Sequence, residues 1–300
     1  MNLLSHYLTP NDKNGLEVIN WQDVNISENL TYSFRDTFYT EKTYPSNLHY
    51  HDYYEVVFIE NGYINYVCDS LVFKPSKSDV VIVPPGVLHM SKINAKSTRY
   101  SRHVFYFYPQ VLNVFDRNVM QDFFEKTSKN YILTLSTIVD KEDCLSILNK
   151  ISKLVDSEVT VKDKTLIFAY LIELLCLFDK KASVIKSDKN YLPEKLLKVK
   201  DYIDNNYVYI NTVTDVANKF FYSREYLSRS FKKYFNITIA DYVNKKRIIK
   251  SQELFKQNKS VTEVCYTVGY NSLSTFIRVF KSITNTSPTE YKKLVIKTQV

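Results

Sequence analysis

The chain has few cysteines, no long apolar run and no N-terminal targeting pattern. Its four cysteines lie far apart and form no CxxC pair, which argues against a disulfide framework or a zinc cluster and for reduced thiols. No basic segment followed by an apolar stretch opens the chain, and no stretch reaches the roughly 18 apolar residues of a membrane helix. We therefore expect a cytoplasmic protein without a membrane partner.

The composition is globular and its charge is uneven. Hydrophobic residues make up 45 % and charged residues 24 % of the 300 positions, which argues against wholesale disorder and suits roughly two domains. Residues 192–300 carry 19 Lys and Arg against 9 Asp and Glu, whereas the remainder carries 21 against 23. A basic C-terminal third is typical of a phosphate-binding module, although a Lys-rich solvated surface gives the same charge.

The N-terminal third predicts strands. Between residue 16 and about residue 108, short runs rich in Val, Ile, Tyr and Phe alternate with turn residues, as in EVVFIE, YINYV, DVVIVP and RHVFYFY. Asn61-Gly62 lies between two such runs and predicts a type I′ hairpin, in which both central residues have positive φ. This pattern favours a compact all-β unit, either a barrel or a sandwich.

Two amphipathic helices are predicted in the middle of the chain. Apolar residues recur at three- and four-residue spacing over 144–155 and again over 164–179. Their wide apolar faces lead us to expect a homodimer through helices in 141–180, with ordinary core packing as the alternative. The charged segment 180–193 ends in proline and is the best linker candidate.

The C-terminal third contains a degenerate repeat of residues 215–242 and 263–291. Three residues recur 49 positions later: Arg229 as Arg278, Phe231 as Phe280 and Lys232 as Lys281. Each copy predicts a helix, a short turn and a second helix, with Thr212, Ser223 and Ser260 as N-caps. In the first copy, Tyr226, Leu227 and Phe231 are expected to face inward. These are the parts of a helix-turn-helix, and one copy alone would be a weak signal because αα-hairpins are common.

The spacing between the copies fits a DNA duplex. The helix that joins them, roughly Ile239 to Gln257, would be about 28 Å long at 1.5 Å per residue. One turn of B-DNA is about 34 Å, so the two second helices could enter successive major grooves on one face of the duplex.

Residues 192–291 resemble the tandem helix-turn-helix domain of the AraC/XylS transcriptional regulators. The most specific stretches are YLSRSFKKYFNITIADYVNKKRI and VGYNSLSTFIRVFKSITNTSPTEY. The resemblance implies that helices starting at Ser223 and Asn271 read DNA, with Lys232 and Lys281 facing phosphate. The residues assigned to DNA binding are Ser223, Arg224, Glu225, Ser228, Arg229, Lys232, Asn271, Ser274, Thr275, Arg278 and Lys281.

The sequence departs from the family pattern at three positions. Phe221 stands where the first turn often has glycine, which predicts a different turn conformation. Thr275 replaces a frequent aromatic residue and Cys265 replaces the usual alanine. The bases that are read therefore do not follow from the resemblance.

The N-terminal unit also resembles a cupin. His49-x-His51-x3-Glu55-x6-Gly62 is similar to the first cupin motif, and residues 78–89 are similar to the second, with Ser78 where a glycine is usual. The resemblance implies that His49, His51, Glu55 and His89 converge, and imidazole with carboxylate suits a divalent metal with open positions.

In AraC-type regulators such a domain senses a small molecule, commonly a sugar. This implies a metal-free effector pocket in which the same four residues form hydrogen bonds. Tyr53 is also assigned to the effector site, where an aromatic ring can stack on a sugar, with ordinary core packing as the alternative. Structural histidines with satisfied partners are the third interpretation.

These observations predict an α+β protein in three parts: a cupin-like β-barrel that senses an effector over 1–115, a helical linker and dimerisation region over 116–190, and an AraC-type tandem helix-turn-helix domain over 191–300. We expect a non-enzymatic transcriptional regulator that binds promoter DNA, senses a sugar or related metabolite, contacts RNA polymerase and requires no cofactor. The alternatives are a metal-dependent cupin enzyme with a DNA-binding tail and an effector-free regulator controlled by a protein partner.

Overall fold

The computed structural model describes residues 17–40, 48–62, 64–68, 71–93, 97–108, 111, 123–125, 127, 131–186, 193–235 and 237–297. The chain divides into two compact units, Met1–Lys189 and Asn190–Val300. Part of the predicted linker, residues 187–192, lies outside the described residues. Within the described part, no helix combines the length and hydrophobicity needed to cross a membrane.

The first unit is built on antiparallel strands. The described strands are β1 (Glu17–Ser27), β2 (Leu30–Thr40), β3 (Tyr54–Asn61), β4 (Ile64–Cys68), β5 (Leu71–Phe73), β6 (Val80–Val83), β7 (His89–Ile93), β8 (Ser97–Phe107), β9 (Ile132–Leu135) and β10 (Ala182–Val184). Seven of them form sheet A in the order β1-β2-β8-β3-β6-β9-β10, and three form sheet B in the order β5-β4-β7. An isolated backbone bridge also joins His49 to His89.

This arrangement confirms a sheet-rich N-terminal unit, but a closed cupin-like barrel is not confirmed, because the described strands form two separate sheets. The type I′ hairpin predicted at Asn61-Gly62 is wrong, since β3 pairs within sheet A and β4 within sheet B. Gly62 has a φ of +129°, and a Cβ there would lie 3.1 Å from the carbonyl oxygen of Arg99. Ser78, at the position where the motif favours glycine, has a φ of +68°, the region that glycine enters most easily.

One face of sheet A is covered by two helices, α1 (Ile138–Val155) and α2 (Val161–Lys181). Thr137 and Thr160 cap their N-termini through side-chain oxygens, and Thr160 forms a capping box with Asp163. The apolar sides of both helices share a core with sheet A, in which each fully buried Leu or Phe side chain contributes about 1.5–3 kcal/mol. This core contains Tyr32, Phe34, Phe58, Phe105, Leu148, Ile151, Leu171, Leu174 and Phe178.

Both helices were predicted from the sequence and both are confirmed. Their wide apolar faces are covered by sheet A, so the reason for expecting them to pair across a two-fold axis is removed. The homodimer through helices in 141–180 stays a prediction.

The opposite face of sheet A packs against sheet B and is called the inner face. Because side chains alternate along a strand, β2 and β8 present a second set of residues there. The core between the sheets includes Tyr39, Tyr53, Val57, Tyr66, Phe73, Tyr100, Val104 and Tyr106.

The second unit is helical. Its described helices are α3 (Glu194–Asn206), α4 (Val213–Lys219), α5 (Arg224–Phe235), α6 (Ile239–Lys256), α7 (Val261–Thr267), α8 (Leu273–Thr284) and α9 (Pro288–Lys297). The predicted caps Thr212 and Ser260 are confirmed, because their side chains accept hydrogen bonds from the N–H groups of Asp215 and Glu263. The central helix ends at Lys256 with Gln257 as its C-cap, as the sequence predicted.

Arg247 holds the middle of the second unit together. Its side chain belongs to a residue only 7 % exposed. The guanidinium donates to the carbonyl oxygens of Tyr207 and Ile210, each at 2.9 Å, and of Val208 at 3.3 Å. These carbonyls form the turn after α3, here called loop 207–210. The planar guanidinium can satisfy several acceptors at once, so one buried side chain fixes the whole loop.

Candidate functional sites

The turn between α4 and α5 is a Schellman-type helix end. Tyr222 donates its N–H to the Ala217 carbonyl at 2.9 Å and Phe221 donates to Asn218 at 3.2 Å. Phe221 has a φ of +57° and is 96 % exposed. This left-handed conformation costs a non-glycine residue about 1–2 kcal/mol.

The turn between α7 and α8 has the same pattern. Tyr270 donates to the Cys265 carbonyl and Gly269 to Tyr266, both at 3.1 Å. Gly269 has a φ of +93°, and a Cβ there would overlap the Val208 carbonyl and lie 2.9 Å from the Val208 Cα. The prediction that Phe221 changes the turn conformation is therefore wrong. Because the Phe221 side chain is exposed to solvent, no neighbouring atom prevents a left-handed backbone at this position, and the first turn has the same conformation as the second.

Helix α5 presents a polar surface to solvent. Ser223 caps it, accepting a hydrogen bond from the Tyr226 N–H at 3.2 Å, so the predicted cap is confirmed. Leu227 and Phe231 face inward as predicted, but Tyr226 is 48 % exposed and its inward assignment is wrong. Of the residues assigned to DNA on this helix, Arg224, Glu225, Arg229 and Lys232 are exposed and Ser228 is half-buried.

Helix α8 repeats this arrangement. It begins at Leu273 with Ser272 as its N-cap, so the predicted start at Asn271 is two residues early. Asn271 itself is exposed just before the cap. Phe276 and Phe280 are fully buried as predicted, and the exposed residues include Ser274, Thr275, Ile277, Arg278 and Lys281.

Among the described residues, some cations of the second unit are paired with carboxylates, whereas those assigned to DNA are not. Lys200, Lys250 and Lys259 form ion pairs with Asp204, Glu253 and Glu263. In the described part of the chain, no ion pair involves Arg229, Lys232, Arg278 or Lys281. Their exposed charges are available to a phosphate or a base edge.

In the first unit, Glu55 lies between two buried histidines. His51 Nε2 and His89 Nε2 approach the same Glu55 oxygen, Oε2, at 3.0 and 3.1 Å. Burial lowers the pKa of His51 despite its bond to Glu55. Burial acts to raise the pKa of Glu55, but the hydrogen bonds from the two histidines outweigh it and hold this pKa well below its usual range.

The other ring nitrogens fix the orientation of both imidazoles. His51 Nδ1 lies 2.7 Å from the Tyr53 carbonyl oxygen, and His89 Nδ1 lies 2.9 Å from the Val87 carbonyl oxygen. A carbonyl oxygen only accepts, so each Nδ1 carries a proton and donates it. A neutral ring then directs its Nε2 lone pair at an ionised carboxylate. A proton or a cation between Nε2 and the carboxylate makes such a contact favourable.

This donor set fits a divalent metal. His49, Glu55 and His89 each offer a ligand atom, and these atoms lie within 4.8 Å of one another. The His49 ring packs on His89 with centroids 4.2 Å apart. A backbone carbonyl on the Nδ1–H of His51 and of His89 is the support that metal-binding histidines commonly have. The four residues predicted to converge are thus brought together, His51 through its contact with Glu55.

Tyrosines extend from this cluster along the inner face. Tyr53 stacks on His51 with centroids 4.1 Å apart, and its ring meets Tyr106 edge-on at 6.0 Å. Further along, the hydroxyls of Tyr66 and Tyr100 lie 3.3 Å apart. Burial raises the pKa of Tyr100 to about 12, so this hydroxyl stays neutral at physiological pH.

Two arginines on the inner face were missed by sequence reasoning. Arg35 on β2 pairs in register with Arg102 on β8. Each interrupts an aromatic strand, as in YSFRDTFY and YSRHVFYFY, and this interruption was the only available signal. Their pairing across 67 residues of sequence could not be found from the pattern alone.

Comparison with known proteins points to one class. A family model described as "Helix-turn-helix domain" matches residues 216–294. A regulator of Escherichia coli named YdiP is 23 % identical over 86 % of this chain and 85 % of its own length. YdeC of Bacillus subtilis is 28 % identical over 82 % of this chain and 86 % of its own; both are named as uncharacterized HTH-type transcriptional regulators. The probable transcription factor PqrA of Proteus vulgaris is 32 % identical over 27 % of this chain and 67 % of its own.

Among solved structures, the chain is similar to ToxT of Vibrio cholerae. An apo form that carries a lysine-to-alanine substitution matches with 18 % identity, 87 % coverage of this chain, 97 % of that chain and a TM-score of 0.35. A form with bound unsaturated fatty acid matches with 15 % identity, coverage of 90 and 96 % and a TM-score of 0.36.

Proposed function

Because this chain belongs to the AraC/XylS family of transcriptional regulators, we propose that α5 and α8 read promoter DNA and that the inner face of sheet A binds a small-molecule effector. One observation carries the DNA assignment. Two helix-turn-helix units present an exposed arginine, Arg229 and Arg278, at the same place on their second helices.

The spacing of the two units supports this assignment. Helix α6, which joins them, has 18 residues and spans about 27 Å at 1.5 Å per residue. Successive major grooves on one side of B-DNA repeat at about 34 Å. Each arginine can form a bidentate pair with a guanine edge, while Lys232 and Lys281 pair with phosphates as point charges.

The DNA assignment is tested with sites selected by the wild-type chain from a random duplex library. We expect Arg229→Ala and Arg278→Ala each to weaken specific binding by about 1–3 kcal/mol and to relax the preference at one base position. Lys232→Ala is expected to weaken all sequences alike and to reduce the salt slope by about 1. Fluorescence anisotropy at several salt concentrations measures all three effects.

The matched control is Lys198→Ala. Lys198 is 65 % exposed on α3 and already pairs with Glu194, so its loss should leave base preference unchanged. If both arginine variants bind the selected sites with wild-type affinity and preference, the assignment of α5 and α8 is wrong.

For the sensor, an effector must bind the two functional states of the protein with different affinity, because only then can it shift occupancy at a promoter. A sugar or related metabolite is the class suggested by the sequence resemblance, and the row of tyrosines on the inner face supports a ligand with a ring or chain to cover. A ligand screen read by promoter affinity tests this. A ligand that saturates the first unit without altering promoter affinity or assembly would contradict the coupling.

Metal-assisted sensing is a second candidate, favoured by the convergence of His51 Nε2 and His89 Nε2 on Glu55. Metal analysis of the purified full chain, with Glu55→Gln and His89→Ala as variants, tests it. A stoichiometric metal in the wild type that is lost in both variants supports metal-assisted sensing. Metal-free protein whose promoter affinity still changes with an effector excludes it. The relatives named above are called regulators, which supports a sensor over a cupin enzyme.

A homodimer through helices in 141–180 and a contact with RNA polymerase remain part of the proposal. Three exposed apolar side chains lie at the starts of α1 and α2 and offer a surface for the dimer contact: Ile138, Val139 and Val161. Analytical ultracentrifugation of the full chain, with Val139→Asp and Val161→Asp as variants, tests the dimer. A monomer at all concentrations, with or without DNA, would contradict it.

A further inference from the structure

Ile277 is an exposed apolar residue on the side of α8 that is proposed to read DNA. It lies three residues after Ser274, one before Arg278 and four before Lys281, and residues three and four apart are neighbours on a helix surface. These four residues are here called the α8 row. Ile277 is 38 % exposed. Single exposed apolar residues are common on proteins, so its place among polar residues of the row is what singles it out.

Buried aromatic rings fix the rotation of α8 about its axis. Phe276 and Phe280 are fully buried; the first ring lies 5.4 Å from that of Tyr270, and the second lies 5.7 Å from that of Phe255. A rotation that carried Ile277 inward would break these contacts in a close-packed core. Ile277 is also β-branched and has one strongly preferred χ1 rotamer in a helix. Its Cγ2 methyl group is therefore held in place on the row.

Helix α5 has a different residue at the corresponding position. In the repeat, Arg229 of α5 corresponds to Arg278 of α8. The residue before it, Ser228, therefore corresponds to Ile277. A serine hydroxyl both donates and accepts hydrogen bonds, whereas an isoleucine side chain does neither. The two helices thus present the same cations but differ in what lies beside the arginine.

The chemistry of the major groove limits which base an isoleucine can contact favourably. Guanine, adenine and cytosine are recognised there by hydrogen-bond donors and acceptors, whereas thymine also presents its C5 methyl group. An apolar side chain over a donor or an acceptor displaces water without replacing the hydrogen bond, which is unfavourable. Contact with the thymine methyl group removes apolar surface from water on both partners.

We propose that Ile277 reads the C5 methyl group of a thymine beside the base that Arg278 contacts. This rests on the proposed role of α8 in reading DNA and adds a contact that the family resemblance does not assign. Because α5 carries Ser228 at the corresponding position, the thymine is required only in the part of the site that α8 reads. The two parts of the site then differ in sequence, and the chain binds in one direction.

Replacing thymidine by deoxyuridine removes this methyl group and nothing else. Duplexes carry the site selected by the wild-type chain, each with one thymidine replaced, and fluorescence anisotropy measures the Kd of the full chain. We expect an affinity loss at a thymine next to the base pair whose preference Arg278→Ala relaxes. The expected loss is about fourfold, which corresponds to about 0.8 kcal/mol for one methyl group.

The discriminating variant is Ile277→Ser, which gives α8 the residue found in α5 and should bind the thymine and uracil duplexes equally. Ile277→Val keeps a branched apolar side chain and should retain most of the difference. The matched control is Leu71→Ser, at a similarly exposed position in the first unit (36 %), which should leave the ratio unchanged. Each ratio compares two duplexes for one protein, so the folded fraction of a variant cancels.

Cytosine and 5-methylcytosine give a second comparison, because they differ in the same methyl group. Placed at the thymine position, 5-methylcytosine should bind the wild type more tightly than cytosine, and Ile277→Ser should bind both equally. The inference is overturned if the selected site has no thymine beside the Arg278 contact, or if uracil there binds the wild type as well as thymine does. It is also overturned if Ile277→Ser keeps the full thymine preference, or if the two cytosines bind the wild type equally.

Arg278→Ala separates this inference from the proposed function. If that variant loses specific binding while the wild type binds thymine and uracil duplexes alike, α8 reads DNA and only the thymine contact fails. If the wild type selects no sequence, or if Arg278→Ala binds the selected site normally, the assignment of α8 fails and the thymine contact fails with it.

Discussion

The turn between α4 and α5 is open to solvent, whereas the turn between α7 and α8 lies against loop 207–210. Both turns have the same hydrogen bonds and the same left-handed residue, Phe221 in one and Gly269 in the other. Phe221 is 96 % exposed, while Gly269 faces the Val208 backbone so closely that no Cβ fits. The residue type at this position therefore follows from what covers the turn rather than from the turn itself.

The residue that follows each left-handed residue also differs between the two turns in what it contacts. Tyr222 packs on the exposed Tyr226 of its own second helix, with centroids 5.2 Å apart. Tyr270 is buried, lies 5.1 Å from the Arg247 guanidinium and donates its hydroxyl to Asn244 Oδ1 at 2.9 Å. Helix α8 is thus anchored to α6 through the turn that precedes it. Substitutions at these positions show how much each turn depends on the residues around it.

The largest effect is expected from Arg247→Met. It leaves three carbonyls of loop 207–210, one of them in the buried Ile210, without their donor and removes the support of the second turn, so the free energy of unfolding should fall by about 3–5 kcal/mol. Urea unfolding of the full chain, followed by far-UV circular dichroism, measures it, with Trp21 emission as a monitor of the first unit. Lys250→Met on the same helix, at an exposed position, should change stability by less than about 0.5 kcal/mol.

Gly269→Ala comes next. The added methyl group must displace the Val208 backbone and take a left-handed φ, which together should cost about 3 kcal/mol. Phe221→Ala at the corresponding position is the matched control and should stay within about 0.5 kcal/mol of wild type. Equal losses in the two variants, measured by urea unfolding, would remove the proposed difference between the turns.

Tyr270→Phe tests the anchoring bond. Loss of the hydroxyl leaves Asn244 without its described donor and should lower stability by about 1 kcal/mol. Tyr222→Phe should have almost no effect, because its ring contact is with an exposed side chain. Thermal unfolding of both variants at one pH makes the comparison, and a larger loss for Tyr222→Phe would contradict it.

The smallest effect has the opposite sign. Phe221→Gly relieves the left-handed strain of about 1–2 kcal/mol, of which roughly 0.5–1 kcal/mol is offset by the greater freedom of glycine in the unfolded chain. We expect a net gain of about 0.5–1 kcal/mol in the free energy of unfolding. A loss of stability would indicate that the exposed ring makes a contact that the turn needs.

Local patterns predicted the elements well where one face is buried. Helices α1, α2 and α6 follow from apolar residues at helical spacing, and the caps Thr212 and Ser260 follow from their position before such runs. Tyr226 was misassigned because it lies next to the buried Leu227, and helical spacing alone does not say which neighbour is covered. The turn at Phe221 was predicted wrongly because the absence of glycine was taken to exclude a left-handed backbone.

Pairings between distant residues could not be predicted from spacing. The motif brought together His49, His51, Glu55 and His89, but the carbonyls that hold the imidazole Nδ1 atoms depend on how the chain turns at Tyr53 and Val87. The meeting of Arg35 with Arg102 depends on the register of β2 and β8, which nothing local specifies. The crossing of Gly62 between two sheets was missed for the same reason.

The dependence of the second turn on loop 207–210 limits how modular the duplicated domain can be. A simple gene duplication yields two copies that each carry what they need. Here the turn of the second copy lies against loop 207–210, which precedes both copies in the sequence. Only a residue without a Cβ fits at this contact, and that residue is Gly269. A deletion of the residues before 211 would remove the loop that supports the turn of the second copy, although every residue of that copy would still be present. The two repeats are therefore alike in sequence, but the turn of the second is supported by residues that precede the first.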